Sequence, residues 1–325
     1  MASITPIHSF DQLKILADPR RLAILRHLMS APASLTSIGN VIGEHPAWVR
    51  HHLKKLEDVG LVKLVETRIQ SGVVEKYYQA CSNGYLLQEL ILPQDSTRPV
   101  IVFSGSHDLV IELLARKLSK YFLLLTLPVG SLDGLVSLRQ NLATLSGTHL
   151  LDESGEYNLP FIRRFFPDRN MIVITLAHRE QGLMVAPGNP KSIHSLNDLA
   201  RPEVTFVNRN PGSGTRLWLD RQLTSLGIPS EKIHGYGTLI ITHTECASLI
   251  QAGKADVALG LQAAAHQHGL DFLPLFVERY DIVFNQEQAS RLTPLLDRLQ
   301  TLSFRRQVEA LRGYETVHTG EQIPL

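Results

Sequence analysis

The chain has 325 residues, a length at which a single hydrophobic core rarely keeps growing, so we expect at least two folded units. Hydrophobic residues make up 44% and charged residues 19%, which excludes a disordered chain, and a formal net charge of +1 excludes a general attraction to nucleic acid or membranes but permits a local basic surface. The two cysteines, Cys81 and Cys246, exclude a disulfide framework and a cysteine zinc cluster, and they are typical of a reducing compartment.

The N-terminal stretch MASITPIHSFDQLK lacks a basic segment followed by an apolar run, which a signal peptide would have. The sequence also contains no run of about 18 apolar residues, the length that a membrane-spanning helix needs. We therefore predict a cytoplasmic protein without a membrane partner.

The first sixty residues predict a helix-turn-helix. Leucines at helical spacing across residues 10–28 are interrupted by Asp18-Pro19, which can end one helix and cap the next. Residues 35–42 predict another short amphipathic helix. After a tight turn, residues 45–59 predict the second helix of the helix-turn-helix.

A β-hairpin is predicted directly after these helices. Residues 61–67 and 73–79 alternate as strands around a turn at Ser71-Gly72. We call this hairpin the wing, and we expect Arg68 and Lys76 to lie at its tip.

The second helix of the helix-turn-helix has two distinct faces. Val49, Leu53 and Leu56 recur at helical spacing and are predicted to face the core. The opposite basic face is suited to phosphate and base-edge contacts in a major groove, although a basic face is often only solvated. Trp48 could contact a sugar, but packing is the preferred interpretation. The predicted DNA-contacting residues are Pro46, Ala47, Trp48, Arg50, His51, Lys54, Lys55, Arg68 and Lys76.

The segments LADPRRLAILRHL, VRHHLKKLEDVGLV and EKYYQA resemble the ArsR-type winged helix, over roughly residues 10–80. The resemblance implies a DNA-binding domain. The stretch LTSIGNVIGEH lacks the cysteine pair of metal-sensing members, so metal sensing is not expected. The recognition helix opens with His45-Pro46-Ala47-Trp48 in place of the usual small hydroxyl residue, so the base preference of the family does not carry over.

Residues 82–99, SNGYLLQELILPQDSTRP, have the polar, proline-bounded composition of a linker. Residues 85–92 within it are a candidate helix for pairing with a second subunit. A regulator of this type needs two DNA-binding heads to bind two half-sites, so we expect a homodimer.

Beyond residue 100, apolar strand-like runs alternate with amphipathic helices. This alternation predicts α/β layers around mostly parallel sheets, whose ligands bind beyond the carboxyl ends of the strands. The predicted strands are 100–103, 122–129, 171–176, 182–185, 204–207 and 257–261, and the predicted helices are 108–118, 132–142, 215–226 and 245–252.

Three hydroxyl-rich turns follow these strands. They are Ser104-Gly105-Ser106-His107, Gly130-Ser131 and the stretch from Asn210 to Arg216, NPGSGTR. Glycine lets a backbone approach a ligand closely, free N–H groups at a helix start favour an oxyanion, and hydroxyls donate in defined directions. Helix capping explains any single turn equally well. Their recurrence favours a ligand site, in which one or two of the three turns could still be structural.

The segments HLLDESGEYNLPFIRRFFP, GLMVAPGNP, SLNDLARPEVTFVNRNPGSGTRLWLD and THTECASLIQAGKADVALGL resemble the periplasmic-binding-protein-like domain of molybdate-type regulators, over about residues 100–312. The resemblance implies two lobes that close on a small effector, with molybdate or tungstate as the first candidates. Lobe I would span about residues 100–180 and 275–325, and lobe II about residues 181–274.

Carried over residue by residue, the resemblance implies a set of ligand-binding residues from both lobes. Arg216 could neutralise an anion or pair with Asp220 four residues later. Asp152, Tyr157 and Asn158 are either ligand contacts or structural caps. The ligand-binding candidates are Ser104, Ser106, His107, Ser131, Tyr157, Asn158, Ser213, Gly214, Thr215, Arg216, Thr242, His243 and Glu245.

The sequence thus predicts a transcriptional regulator of α/β class with a winged helix-turn-helix at residues 1–81, a linker at 82–99 and a ligand-sensing domain of two lobes at 100–325. Its operator affinity would be controlled by a small oxyanion, and a small organic metabolite or carboxylate is the alternative. A solute-binding protein without a regulatory role is a further alternative, disfavoured by the absent signal peptide and the fused winged helix.

An enzyme is the rival from a different class. The stretch PGSGTR lacks the lysine of a Walker loop, and the sequence contains neither a Gly-x-Ser-x-Gly elbow nor an HExxH helix. His266 and His268 have no nearby cysteine or paired carboxylate. We therefore expect no catalytic residue, no metal site and no covalent cofactor.

Overall fold

The computed structural model describes residues 4–7, 9–70, 73–87, 90–93 and 97–325. The chain divides into two compact units, residues 1–91 and residues 92–325, and each unit has its own hydrophobic core. Within the described ranges, no helix has both the length and the apolar character that crossing a membrane requires.

The first unit is a small helical domain with short sheets. The break predicted at Asp18-Pro19 is confirmed, since an Asp18 carboxylate oxygen accepts a hydrogen bond from the Arg20 N–H and caps the second helix. The strands of this unit are β1 (Ile4–Ile7), β2 (Ala33–Ser34), β3 (Val62–Gln70), β4 (Val73–Ala80) and β5 (Gly84–Leu87), and its helices are α1 (Phe10–Leu16), α2 (Pro19–Ser30), α3 (Leu35–Ile42) and α4 (Pro46–Asp58).

Helices α3 and α4 form the predicted helix-turn-helix. Gly43 ends α3 in the left-handed conformation, at φ +74°, which suits a residue without a side chain. Val49, Leu53 and Leu56 of α4 are buried, as predicted, in the core of this unit. Strands β3 and β4 pair antiparallel and form the wing. The predicted turn at Ser71-Gly72 lies outside the described residues.

The helix predicted over residues 85–92 is wrong where the structure describes its start. Residues 84–87 instead form β5, which pairs in parallel with β1. The Tyr85 hydroxyl donates to the Leu61 carbonyl oxygen at 2.8 Å, and its ring packs against the core, so this segment is tied to the first unit in an extended form. Residues 88–89 lie outside the described residues.

The second unit has an α/β architecture. Short 3-10 turns occur at Leu196–Ala200, Ser230–Lys232 and Gln286–Gln288. The strands are β6 (Val100–Gly105), β7 (Leu123–Pro128), β8 (Leu145–Thr148), β9 (Met171–Val185), β10 (Phe206–Arg209), β11 (Leu239–Ile240), β12 (Val257–Leu261), β13 (Asp271–Asn285), β14 (Tyr314–Glu315) and β15 (Gln322–Ile323). The helices are α5 (Leu109–Leu118), α6 (Ser131–Arg139), α7 (Leu159–Phe165), α8 (Gly214–Leu226), α9 (His243–Gln251), α10 (Gln262–Gln267), α11 (Ala289–Leu299) and α12 (Leu302–Glu309).

Two long antiparallel strands, β9 and β13, join two lobes. The strands follow the order β11-β10-β12-β9-β13-β8-β6-β7, and β14 and β15 also pair with β9. One lobe is built around β8, β6 and β7, and the other around β12, β10 and β11, each with its own buried apolar clusters. The prediction of mostly parallel sheets is wrong for the middle of the assembly, because both crossing strands run antiparallel to their neighbours.

The prediction of separate strands at 171–176 and 182–185 is also wrong, since β9 is continuous from Met171 to Val185. The polar residues Arg179 and Gln181 interrupt the apolar pattern of the sequence, but both are fully buried and pair with β13. Both side chains belong to the buried polar site described next, so the apolar pattern expected of a buried strand is broken at these two positions.

Candidate functional site

The three hydroxyl-rich turns converge where the two lobes meet. Ser131, at the start of α6, accepts a hydrogen bond through its Oγ from the His149 N–H at 3.2 Å. The Asn210 side-chain amide donates to the Val129 carbonyl oxygen at 3.1 Å, which joins the turn after β10 to the turn after β7. The lobes are therefore in contact, and the carboxyl ends of β6, β7 and β10 meet at one seam, which we call the cleft.

Two glycines allow close approaches at the cleft, one within a lobe and one between the lobes. Gly105 has φ +151°, and a Cβ there would lie 2.3 Å from the Gly147 carbonyl oxygen. A Cβ on Gly214, in the other lobe, would lie 2.5 Å from the His149 Nδ1 atom. Both contacts are far below normal van der Waals distance. The first lies between paired strands of one lobe and excludes a side chain in any arrangement of the lobes, whereas the second excludes one only in the arrangement described here.

A buried hydrogen-bond chain runs from Glu278 through His149 to Ser106. The Glu278 Oε2 atom lies 2.7 Å from His149 Nδ1, and His149 Nε2 lies 3.0 Å from Ser106 Oγ. Burial opposes ionisation of Glu278, but His149 and Arg179 outweigh that cost and hold its pKa at about 2. Burial also lowers the pKa of His149, because the charged imidazolium loses its hydration. We therefore treat Glu278 as ionised and His149 as neutral.

Arg179 is fully buried beside this chain. Its Nε atom donates to Glu278 at 2.6 Å, and its Nη1 atom donates to Asp108 at 2.7 Å. The guanidinium carbon lies 4.0 Å from the centroid of the Tyr280 ring. Its Nη2 atom is buried and has no hydrogen-bond partner in the described part of the chain, so one strong donor is left unused.

Arg209, at the end of β10, is a second fully buried guanidinium. Its Nη1 atom lies 2.7 Å from His243 Nε2, and its Nη2 atom donates to the Ile241 carbonyl oxygen at 2.6 Å. No carboxylate among the described residues forms an ion pair with it, and burial lowers its pKa to about 10. Burying a cation without a counter-charge is costly, so this position suits an anionic ligand.

Several other buried polar atoms around the cleft have no partner in the described structure. Buried polar atoms in folded proteins nearly always have one, so such a cluster is the pattern that a polar ligand would complete. Besides Arg179 Nη2, these atoms are His107 Nδ1, Gln181 Oε1 and His243 Nδ1. Ser104 Oγ at the end of β6 and Ser146 Oγ, which lies against Gly134 of α6, are also buried without a partner among the described residues.

Some predicted ligand residues lie at the cleft, and others have structural partners. Tyr157 lines it together with His149 and Gly214, and burial raises the pKa of the Tyr157 hydroxyl to about 12. Thr215 is buried and accepts a hydrogen bond from the Gln181 amide at 3.1 Å. The His107 ring contacts Glu112 at 2.9 Å.

Asn158 has the contacts of a structural residue. Its side-chain oxygen accepts from the Leu150 N–H at 2.7 Å, and its Nδ2 donates to Asp281 at 2.7 Å and to the Thr148 carbonyl oxygen. Asp152 likewise accepts backbone hydrogen bonds, from Ser154 and Glu156. Between the two open alternatives, these contacts favour structural capping for both residues.

Helix capping also accounts for part of the predicted set. The Ser213 hydroxyl accepts from the Arg216 N–H, and the Thr242 hydroxyl accepts from the Glu245 N–H. Glu245 is exposed. The Arg216 Nε atom donates to both carboxylate oxygens of Asp220, at 2.7 and 2.9 Å, so its charge is paired within α8.

Five polar or charged residues at the centre of the cleft were missed by sequence reasoning. Arg179 and Glu278 are paired directly across β9 and β13, 99 residues apart, and no local pattern links them. Arg209 directly precedes the turn at Asn210, and the rule that ligands bind at the carboxyl ends of strands could have included it. The other missed residues are His149 and Gln181.

The predicted DNA-contacting surface lies in the first unit. Ala47, Arg50, His51 and Lys54 are exposed along one face of α4. Trp48 is partly buried against the core, and its ring centroid lies 4.1 Å from that of His52, so the packing interpretation is favoured.

The basic side chains of this surface differ in whether they already have partners. Lys54 forms ion pairs with Asp58 at 2.9 Å and Glu57 at 3.5 Å, and Arg68 of the wing pairs with Glu66 at 2.7 Å. Pro46 and Lys55 are partly buried, and Lys76 is exposed. Leu35, Arg50, Lys54, Val74, Lys76 and Tyr78 are among the residues lining a groove between α4 and the wing.

Two family models match the chain. The model described as "PBP superfamily domain" matches residues 111–300, and the model described as "Helix-turn-helix domain" matches residues 16–65. The chain therefore has an N-terminal helix-turn-helix followed by a PBP-like α/β domain, as the sequence predicted. Neither description names an enzyme.

Two curated relatives are similar in sequence. "Uncharacterized protein YvgK" of Bacillus subtilis (strain 168) is 35% identical over 229 residues, which cover 70% of this chain and 74% of the relative. "Uncharacterized protein in ferredoxin 2Fe-2S gene 5'region" of Clostridium pasteurianum is 33% identical over 108 residues, which cover 32% of this chain and 96% of the relative.

Solved structures with a similar fold have low sequence identity to this chain. An ABC-type phosphate transport receptor from Vibrio cholerae aligns with a TM-score of 0.41 and 16% identity, covering 66% of this chain and 98% of the receptor. Peb3 from Campylobacter jejuni aligns with a TM-score of 0.45 and 15% identity, covering 67% of this chain and 99% of Peb3.

Proposed function

This chain belongs to the PBP superfamily domain family, and from that premise we propose that it is a transcriptional regulator whose operator affinity is set by a small oxyanion bound in the cleft. Its helix-turn-helix supports DNA binding, and the PBP-like domain supports a small-molecule effector. The single observation that carries the choice of an anion is Arg209, a fully buried guanidinium that has no ion pair among the described residues.

The proposed mechanism is a linkage between two binding events. An effector that bridges the turns of the two lobes favours the closed arrangement of the lobes over the open one. If closure also changes how two DNA-binding heads are presented in a homodimer, effector and operator affect each other's affinity by the same factor. The proposed site of action is the cytoplasm, where the operator is.

The identity of the anion is a separate part of the proposal. Molybdate and tungstate are the candidates that the resemblance in the sequence implies, and a small carboxylate is the organic alternative. Each of them would place oxygen atoms near Arg179 Nη2 and Arg209.

A thermal-shift screen on the full chain tests the effector half of the proposal. A ligand that binds only the folded state raises its apparent stability by RT ln(1 + [L]/Kd), about 2.7 kcal/mol at a hundredfold excess over Kd. Molybdate, tungstate, sulfate, phosphate and small carboxylates are compared with chloride at matched ionic strength. A melting temperature that none of the anions raises beyond chloride would contradict an anionic effector.

Operator binding tests the regulatory half. A duplex selected from a random pool by the full chain is titrated with the protein, with and without a saturating concentration of the anion that gives the largest thermal shift. We expect the duplex affinity to change at least fivefold, a typical lower value for coupling between two sites. If the duplex affinity is the same with and without the anion, the protein binds an anion but the proposed regulatory coupling is contradicted.

A further inference from the structure

The hydroxyl group of Ser106 ends a buried hydrogen-bond chain in which each proton has a fixed place. Glu278 Oε1 accepts from Arg179 Nε at 2.6 Å and from Gln181 Nε2 at 2.7 Å. An ionised carboxylate can only accept, so its other oxygen, Oε2, accepts a proton from His149 Nδ1. A neutral imidazole has one N–H group, and Glu278 thereby fixes it on Nδ1.

The tautomer of His149 determines the direction of the next hydrogen bond. Its Nε2 atom carries no proton and can only accept. Ser106 Oγ lies 3.0 Å from this atom, so the serine hydroxyl donates its hydrogen to His149. The lowered pKa of His149 keeps the imidazole neutral and this direction unchanged.

The other polar groups of Ser106 are also used within the protein. Its backbone N–H donates to the Gly147 carbonyl oxygen at 3.1 Å, and its carbonyl oxygen accepts from the Tyr280 hydroxyl at 2.6 Å. What remains for a ligand is the lone pairs of Ser106 Oγ. Ser106 therefore meets a ligand as a hydrogen-bond acceptor.

Gln181, at the centre of the cleft, also offers a hydrogen-bond acceptor. Its Nε2 donates to Glu278 and to Thr215 Oγ1, which fixes the orientation of the amide. Its Oε1 atom is consequently an acceptor, and it is buried without a partner among the described residues. Arg179 Nη2 remains the neighbouring unused donor. The cleft thus offers acceptors beside its cationic donors.

From this arrangement, and resting on the proposed function, we propose that the cleft selects anions that carry an O–H group, which donates to Ser106 while the anionic oxygens accept from the buried arginines. A protonated tetrahedral oxyanion and a hydroxycarboxylate share this chemistry. Sulfate, molybdate and tungstate carry no proton near neutral pH, so one of their oxygen lone pairs would face the lone pairs of Ser106 Oγ. The inference therefore keeps the anionic effector of the proposed function and ranks molybdate and tungstate below the O–H-bearing anions. An unmatched buried polar group of this kind lowers affinity about tenfold to a hundredfold.

Isothermal titration of the full chain at pH 8 with two matched pairs tests the proposal. Phosphate and sulfate are both tetrahedral and mainly divalent at this pH, and phosphate alone retains a proton. Glycolate and acetate differ by one hydroxyl group. We expect phosphate to bind at least about tenfold more tightly than sulfate if the effector is a protonated oxyanion, or glycolate to exceed acetate by as much if it is a hydroxycarboxylate.

Glu278→Gln tests the direction of the chain without changing its size. Arg179 and Gln181 both donate to the Oε1 position, so the amide oxygen must stay there and the amide NH2 must face His149 Nδ1. His149 would then carry its proton on Nε2 and donate to Ser106, whose own hydrogen would turn into the cleft. For phosphate and sulfate we expect the ratio of affinities to fall at least about tenfold, toward sulfate, because sulfate oxygens can accept from the turned hydroxyl. A change in overall charge cancels in this ratio. A glycolate hydroxyl can accept as well as donate, so for glycolate and acetate the deciding variant is Ser106→Ala.

Ser106→Ala is the second variant, in case Glu278→Gln does not fold. It should weaken the O–H-bearing member of the preferred pair and leave the other member nearly unaffected, whereas loss of a donor would weaken both. Ser137→Ala, which removes a hydroxyl bonded to the Asp133 carbonyl oxygen on α6, is the matched control and should change neither affinity.

The possible failures are distinguishable. If sulfate, molybdate or tungstate binds the wild-type chain as tightly as the O–H-bearing anions, or if both variants keep the wild-type ratio, the inference about Ser106 is overturned and the proposed anionic effector stands. If no anion of either kind binds, the inference and the anionic effector both fall.

Discussion

Nη1 of Arg209 lies 2.7 Å from Nε2 of His243, so the fully buried guanidinium donates to a neutral imidazole where a carboxylate partner would be usual. Burial, followed by the nearby charges of Arg209 and Arg179, lowers the pKa of His243 well below its ordinary value. A cation held this way carries a desolvation cost that the unliganded protein does not recover.

This relationship predicts opposite effects of Arg209→Met on stability and on ligand binding. Removing a buried charge that has no counter-ion should leave the melting temperature of the unliganded chain unchanged or raise it. Loss of its donors should weaken anion binding at least about thirtyfold, the equivalent of about 2 kcal/mol for a buried charged contact. Thermal melts and isothermal titration measure the two effects. Lys254→Gln removes an exposed charge in the same lobe and is the control. Anion binding that survives Arg209→Met would place the anion elsewhere.

Stability should fall as the solution is acidified below the ordinary histidine pKa of about 6.5. The pKa values of His149 and His243 are lowered in the folded chain, since burial disfavours their charged forms. The unfolded chain therefore binds more protons than the folded chain below that pH, and the free energy of unfolding decreases as pH decreases. The lowered pKa of Glu278, about 2, adds a further loss below about pH 4.5, where an unfolded glutamate takes up a proton.

Urea unfolding of the full chain at pH 8, 6 and 5, followed by a signal from the second unit, measures how the free energy of unfolding changes with pH. His149→Gln should make the slope shallower, because it removes one of the histidines whose pKa is lowered in the folded chain. A free energy of unfolding that stays constant between pH 8 and 5 would mean that these imidazoles are not held neutral.

Arg50→Ala should weaken binding to a selected duplex and reduce the magnitude of the salt slope by about one counterion, since its exposed side chain on α4 is free to contact a phosphate. Arg68→Ala should have a smaller effect, because Arg68 would first have to leave its ion pair with Glu66. Fluorescence anisotropy over a range of salt concentrations compares the two variants. An effect of Arg68→Ala that equals or exceeds that of Arg50→Ala would move the proposed contact from the helix to the wing.

Local pattern was sufficient for the helix-turn-helix and insufficient for the centre of the cleft. The periodicity of Val49, Leu53 and Leu56 fixes the buried face of α4 because helix, core and exposed surface all obey one local repeat. Arg179 and Glu278, by contrast, contact each other only because strands 99 residues apart in sequence pair with each other. A polar residue inside a buried strand also breaks the apolar sequence pattern by which the strand would be predicted, and it does so at the position of the site.

The hydroxyl-rich turns show the same limit within the site itself. Gly130, Ser213 and their neighbours mark strand ends, and the structure brings these turns together. Which hydroxyls remain available for a ligand depends on partners elsewhere in the chain. Ser213 caps α8, and Ser106 donates to a histidine 43 residues away. Sequence can indicate such a turn, but the direction of each hydrogen bond needs the fold.

Gly214→Ala should prevent the lobes from reaching the arrangement seen here. Its Cβ would lie 2.5 Å from His149 Nδ1 and 2.7 Å from the His149 carbonyl oxygen, and the backbone atom cannot rotate away. Because Gly214 lies at the start of α8 in one lobe and His149 follows β8 in the other, the clash acts only when the lobes are closed. We therefore expect anion affinity to fall at least about tenfold while the unliganded chain keeps its stability, since an open arrangement relieves the contact. Gly237→Ala is the control, because its Cβ would meet no atom within 4 Å. Titration calorimetry measures the anion affinity, and small-angle scattering with and without the anion measures closure of the lobes. A Gly214→Ala chain that binds the anion and becomes compact like the wild type would show that closure is not coupled to binding.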